Sequence, residues 1–337
     1  MHLSNLDTSQ HTGISIHTLR SSLLSLWLAL PCVAVADNPQ SEQWLGRLAH
    51  SMDELNYRGV MSYAHGAQME SLRLTHGIFD GEEFERLEHL DGAPREIIRH
   101  GKQLTCIQLG QRVDSLLHRH LLKAGLEGID RYYDIEVAGE DRVAGRRAVV
   151  LNIKPRDQFR FGYRLALDHD TGLLLRTEAL DDAGRVRERL QFVEVEIGMP
   201  LKKEWLGDVA NHPTANSAAT NSSKPEPVLI DRVVEEAQMP WRPEWMPPGF
   251  VLSVAPHRAS EGVMTYSDGL AVLSIFVEIT QAPLPASDGR AMQGATVAYT
   301  KLANFNGQPY LVTVVGEVPE MTAQRVASAV SWRNPTP

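Results

Sequence analysis

Phe159-Arg160-Phe161-Gly162-Tyr163-Arg164-Leu165-Ala166-Leu167 carries a large apolar side chain at every odd position. The even positions are Arg160, Gly162, Arg164 and Ala166. Side chains on a strand alternate between its faces. The stretch therefore predicts a β-strand with one aromatic, apolar face and one wet face. A sheet of such strands needs a cover on its apolar side.

The same alternation recurs on both sides of this stretch. It predicts strands over 57–63, 72–78, 95–99, 103–107 and 147–153 upstream, and over 173–180 and 186–197 downstream. Asp91-Gly92, His100-Gly101, Asp170-Thr171-Gly172 and Asp182-Ala183-Gly184 supply turns between them. Strands at this spacing with short turns make an antiparallel meander. Before them, Trp44, Leu45, Leu48, Met52 and Leu55 share one face at helical spacing, with Ser41 as N-cap. This helix and less regular segments such as 113–129 are the available covers. A single helix leaves the concave side of a long curved sheet incompletely filled. The expectation is a mainly β, α+β chain whose large domain is a half-open antiparallel β-barrel with a covering helix and an apolar hollow.

Asn211-His212-Pro213-Thr214-Ala215-Asn216-Ser217-Ala218-Ala219-Thr220-Asn221-Ser222-Ser223-Lys224-Pro225 offers only alanine to a core. It reads as a flexible linker, because so little burial cannot offset chain entropy. The expected division is 37–205 for the large domain, 206–225 for the linker and 226–337 for a smaller α+β domain. That smaller domain opens on the proline-rich Trp241-Arg242-Pro243-Glu244-Trp245-Met246-Pro247-Pro248-Gly249-Phe250. Strands are expected over 251–257, 263–267, 271–280, 295–302 and 309–316. A closing helix has Ala323, Val326, Ala327 and Val330 on one face, with Pro319 ahead of it.

Residues 1–36 read as an export signal. Arg20 precedes the short apolar run Leu23-Leu24-Ser25-Leu26-Trp27-Leu28-Ala29-Leu30, and Ala34-Val35-Ala36 offers small residues for cleavage before Asp37. Pro31 stands where a small residue should precede a lipidated cysteine, which disfavours an anchor on Cys32. The expected location is a bacterial periplasm, where ATP and nicotinamide cofactors are scarce, and no cofactor is expected. A hydrophobic content of 43% and a charged content of 22% suit a soluble globular chain. The net charge of -9 argues against nucleic acid as a partner. Once the signal is removed, Cys106 stands alone, so no internal disulfide forms; its strand-like surroundings favour a buried thiol.

Motifs of catalysis are missing from the sequence: no H-E-x-x-H, no paired C-x-x-C, no G-x-S-x-G and no Gly-rich phosphate loop. His118-Arg119-His120 with Asp114 lacks a third nitrogen or sulfur ligand nearby, so a solvated segment is favoured over a metal site. Asp168-His169-Asp170-Thr171-Gly172 starts like a calcium loop but lacks the closing Glu, and a hairpin turn suits it better. Glu82, Glu83, Glu85, Glu88 and Asp91, interleaved with Arg86 and Arg95, read as a solvated strand edge. No enzyme and no metal are expected.

Four stretches resemble the MucB/RseB family of envelope-stress regulators. They are Leu55-Asn56-Tyr57-Arg58-Gly59; Glu70-Ser71-Leu72-Arg73-Leu74-Thr75-His76 with Leu90-Asp91-Gly92-Ala93-Pro94-Arg95-Glu96-Ile97-Ile98-Arg99; Tyr163 through Leu175 around Asp170-Thr171-Gly172; and Trp245-Met246-Pro247-Pro248-Gly249-Phe250. The likeness spans essentially the whole mature chain. It implies a half-barrel similar to that of periplasmic lipoprotein carriers, joined to a smaller domain. It also implies binding to the periplasmic part of a transmembrane anti-sigma factor, shielding it from the site-1 protease. The envelope-stress sigma factor then stays sequestered, a circuit that restrains alginate production in pseudomonads. A lipid or lipopolysaccharide-like ligand in the hollow is implied as the release signal. Leu72, Leu74, Phe159, Phe161, Tyr163 and Leu165 are the expected lining, and Trp241, Trp245 and Phe250 the expected aromatic contacts with the partner. Packing of the proline-rich stretch on its own domain is the simpler role for those three. A periplasmic lipid or lipoprotein carrier is the alternative function, and homo-oligomerisation is left open.

Overall fold

The computed structural model describes residues 39–79, 81–100, 103–106, 128–205, 228–229, 239–254, 262–280 and 288–332. The export segment, the linker, Asp114, His118, Arg119, His120 and the side chain of Cys106 lie outside the described residues.

Helix α1 (Pro39–Glu54) buries Trp44, Leu45, Leu48 and Met52 on one stripe, as the helical spacing predicts. Ser41 is not its N-cap: the helix already includes Pro39, and Ser41 is buried in the first turn. Ten strands follow: β1 (Tyr57–His65), β2 (Gln68–Phe79), β3 (Glu82–His89), β4 (Glu96–His100), β5 (Gln103–Cys106), β6 (Tyr133–Val143), β7 (Arg146–Pro155), β8 (Gly162–Asp168), β9 (Leu174–Leu180) and β10 (Val186–Ile197). With β11 (Val228–Leu229) they form an 11-stranded sheet in the order β11-β5-β4-β3-β2-β1-β10-β9-β8-β7-β6. Every pairing is antiparallel. The chain runs outward from β1 to β5, restarts at the far end with β6, and returns so that β10 pairs with β1. The ends β11 and β6 do not meet, so the sheet stays open, as a half-barrel does.

The remaining elements are β12 (Trp241–Pro243), β13 (Val251–Val254), β14 (Val263–Ser267), β15 (Val272–Ile279), β16 (Gly289–Gln293), β17 (Thr296–Phe305), β18 (Gln308–Gly316), α2 (Glu320–Ser328) and β19 (Val330–Trp332). Six of the strands form a second antiparallel sheet, β13-β14-β15-β18-β17-β16, with α2 packed on β17 and β18. Strands β12 and β19 make a separate ribbon in which Trp241 faces Trp332. Pro319 does stand at the start of α2, and Ala323, Val326 and Ala327 are buried; Val330 falls in β19 instead.

Three expectations about the large sheet need correction. The deciding stretch is strand only from Gly162; Phe159, Arg160 and Phe161 lie in an irregular segment, because Arg160 turns inward to a buried partner. The acidic run is no solvated edge: β3 is an interior strand between β2 and β4, and Glu85 is buried against Arg99. Val228–Leu229, expected in the small domain, pairs with β5 of the large sheet.

Candidate functional site

The register places much of the expected lining on one face. Leu72 faces Met61 across β2 and β1, and Leu74 faces Leu87 of β3. Tyr63, two residues on from Met61, faces Leu190; Leu190 faces Thr177, and Thr177 faces Leu165. Directly paired residues share a face, so Leu72, Leu74, Tyr163 and Leu165 all look to the same side of the sheet. Leu72 and Leu74 pack with Tyr57, Met61, Leu87 and Phe192. Tyr163 and Leu165 pack with Trp44, Leu48 and Met52 of α1, with partly buried Phe161 against the same cluster. Leu72 is 1% exposed and Leu165 is 4% exposed. A ligand reaches this face only by displacing what covers it.

A buried ionic group interrupts the apolar face, and periodicity did not foresee it. Arg99 of β4 donates to Glu83 and Glu85 of β3 at 2.9 Å each, and His76 of β2 meets Glu83 at 3.1 Å. Burial opposes the charge on Arg99, but the two carboxylates outweigh it and hold its pKa above the ordinary value.

Phe159 leaves the sheet altogether. Its ring meets Trp245 edge-on at 5.1 Å between centroids, Arg325 of α2 lies over both rings, and its carbonyl accepts from the Thr322 hydroxyl at 2.9 Å. Phe159 therefore docks the large sheet onto the small one. Trp245 is engaged in the same contact, while Trp241 and Phe250 are buried in the core of the small sheet. These aromatic groups pack within the small sheet's core and at the seam.

Arg160 is the centre of that seam, with a side chain that is fully buried. Its guanidinium donates to Asp157, to Asp268 at 2.6 Å and to the Pro248 carbonyl. It lies over the rings of Tyr132, Tyr133 and Phe250. Asp268 spends one oxygen on the Leu270 and Ala271 amides, capping its own turn, and the other on Arg160 and on the Tyr133 hydroxyl at 2.9 Å. Burial, and then the charge of Asp268, push the Tyr133 phenol well above its ordinary pKa, so it stays a donor. Burial disfavours the Arg160 charge, but Asp157 and Asp268 more than compensate and raise its pKa. Gly249, at φ 90°, lies so close to Tyr132 that a Cβ there would stand 2.4 Å from the ring. The Pro-Pro-Gly-Phe stretch thus turns sharply to let Tyr132, just ahead of β6, approach.

A second contact lies at the β1–β2 hairpin. Gln293 donates to His65 Nδ1 at 2.9 Å, and the Ala295 amide donates to Glu188 at 3.3 Å. Ala295 and Leu270 of the small sheet also join the apolar cluster under α1. The small sheet therefore helps to close the apolar face.

Asp168-His169-Asp170-Thr171-Gly172 is a turn: Asp168 accepts from the Thr171 amide and hydroxyl and from Arg146. Among the described residues, no group of three or more His, Cys, Asp or Glu is placed to hold a metal ion. No described helix is long and apolar enough to cross a membrane.

Comparison with known proteins matches both parts of the chain. The MucB/RseB N-terminal domain profile matches residues 40–210, and the MucB/RseB C-terminal domain profile matches residues 235–331. The sigma factor AlgU regulatory protein MucB of Pseudomonas aeruginosa is 34% identical over 318 residues, covering 91% of this chain and 95% of MucB. The sigma-E factor regulatory protein RseB of Haemophilus influenzae is 27% identical over 329 residues, covering 94% of this chain and 98% of that relative. The solved complex structure of Pseudomonas aeruginosa MucA/MucB superposes with a TM-score of 0.68 at 33% identity, covering 88% of this chain and 99% of the matched chain. With both sheets matched and the likeness running nearly end to end, the chain belongs to the MucB/RseB family.

Proposed function

We propose that this chain is a periplasmic negative regulator of an envelope-stress sigma factor. It binds the periplasmic part of a transmembrane anti-sigma factor and shields that segment from site-1 proteolysis. The observation that carries this reading is the full-length likeness to MucB, which has been solved in complex with MucA. In this reading 37–205, with Val228–Leu229 added to its sheet, is the half-barrel domain, 206–225 the linker and the rest of 226–337 the partner-binding domain. The work is binding, not catalysis, so it asks for no cofactor.

Lipid-like signals release the anti-sigma factor in this reading. Support comes from the apolar sheet face, whose cover includes both α1 and residues of the small sheet. An acyl chain gains about 0.8 kcal/mol per buried methylene, so one long chain can rival a moderate protein–protein affinity. It shifts the equilibrium only by its preference for the released arrangement. Displacing α1 or Ala295 to admit the chain would supply that preference, because it disturbs the seam.

The test is retention of the periplasmic segment of the host's anti-sigma factor on the immobilised chain, with and without outer-membrane lipid. Retention that lipid reverses is the expected result. No retention, with lipid still captured, would move the reading to a lipid or lipoprotein carrier.

A further inference from the structure

Tyr163 brings a polar tip to the apolar face. Its ring packs with Leu151, Ile153 and Leu165 and with the inner stripe of α1. A buried phenol normally finds a hydrogen-bond partner, because stripping water from a hydroxyl without replacing it is destabilising. The Tyr133 phenol follows that rule and donates to Asp268. The Tyr163 hydroxyl does not: it is buried and meets no hydrogen-bond partner. A phenylalanine would fill the same space without that penalty. The hydroxyl is therefore placed for a group that the chain itself does not supply.

The surroundings say which group. Tyr163 faces Ala179 of β9, Ala179 faces Glu188 of β10, and Glu188 faces His65 of β1. That row runs beside the row of Leu165, Thr177, Leu190 and Tyr63, on the same face. Burial, and then the charges of Glu317, Asp268 and Glu188, push the Tyr163 pKa well above the ordinary value, so the phenol keeps its proton and offers a donor. Arg160 also lies near, but its donors go to Asp157, Asp268 and the Pro248 carbonyl. Arg187, next to Glu188, reaches Met292 Sδ at 3.0 Å. A phenol among carboxyl groups is a poor place for a second anion, such as a carboxylate or a phosphate. It suits an uncharged acceptor, and the apolar side chains beside it suit methylenes.

We propose that Tyr163 is the polar anchor of the apolar face: its hydroxyl donates to the carbonyl oxygen of an ester- or amide-linked acyl chain and so selects such a ligand over a free fatty acid. This rests on the lipid reading above and narrows its ligand. It also supplies a difference in affinity between the two arrangements. With the cover in place the hydroxyl is unpaired, and the ligand can pair it only once the cover has moved.

The experiment compares the mature full chain with its Y163F variant, in which only the hydroxyl is lost. Thermal unfolding is measured first, without ligand. Then N-phenyl-1-naphthylamine, a fluorescent apolar dye, is bound and displaced near neutral pH. The competitors are a monoacylglycerol and the free fatty acid of the same chain length, both below their micellar concentrations. Expected is a Tm for Y163F higher by about 2 °C or more, since an unpaired buried hydroxyl has been removed. The wild type should bind the monoacylglycerol severalfold more tightly than the fatty acid. In Y163F the monoacylglycerol should weaken by about three- to tenfold, the worth of one hydrogen bond, while the fatty acid stays unchanged. A Y163F chain less stable than the wild type would overturn the proposal, because the hydroxyl would then already be paired, by an ordered water for example. So would a Y163F chain in which both lipids weaken equally or neither weakens. Displacement of the dye by neither lipid from the wild type would overturn the lipid reading of this face together with the proposal.

Discussion

Replacing Arg160 with alanine is expected to destabilise the chain by about 3–5 kcal/mol, the usual cost of leaving one member of a buried ion pair unpaired. Three groups lose a donor at once: Asp268, Asp157 and the Pro248 carbonyl. Asp268 keeps its turn amides and Tyr133, but its charge remains buried without a cation. R160K should rescue little. A lysine is a point charge and cannot serve both carboxylates and the carbonyl in the plane of a guanidinium. Calorimetry gives the readout. The described parts of both sheets belong to one compact unit, so the wild type should unfold in one main transition, and R160A should split it into two. A single unshifted transition in R160A would mean that the seam is held elsewhere.

The Gly249→Ala substitution should act on the same seam from the other side. At φ 90° an alanine is strained wherever it points, at a cost of roughly 1–3 kcal/mol. Here the added methyl also meets the Tyr132 ring at 2.4 Å, a contact that something must yield to relieve. The two costs are separable. In the double variant Y132A/G249A the clash is gone while the backbone strain stays, so part of the lost stability should return. If G249A melts like the wild type, Tyr132 does not approach the Pro-Pro-Gly-Phe turn as described.

How much of this was legible in the sequence depends on distance along the chain. Alternation in 57–63, 72–78 and 147–153 reads a local face, and the sheet has that face where expected. Strand β6 escaped because its pattern of Tyr133, Ile135 and Val137 breaks at a bulge between Val137 and Gly139. Interior strand β3 escaped because its glutamates look solvated until Arg99, 14 residues beyond Glu85, is seen to neutralise one of them. Arg160 sat at a position that alternation assigns to the wet face, and its partner Asp268 lies 108 residues away. Periodicity carries no information about such a pair. Leu72, Leu74, Tyr163 and Leu165 were legible as one face because their order rests on strand register alone. Phe159 was misread because its aromatic character serves Trp245 and Arg325, not the sheet. The Trp-Met-Pro-Pro-Gly-Phe stretch carried a family signal whose physical basis the structure supplies: Gly249 admits Tyr132, and Phe250 lies under Arg160.

The most direct measurement is the rate at which a site-1 protease cleaves the periplasmic segment of the host's anti-sigma factor, with and without a saturating amount of the mature chain. A regulator of this family is expected to slow cleavage strongly, and outer-membrane lipid is expected to restore it. Cleavage at an unchanged rate, with the chain folded and in excess, would contradict the proposed function.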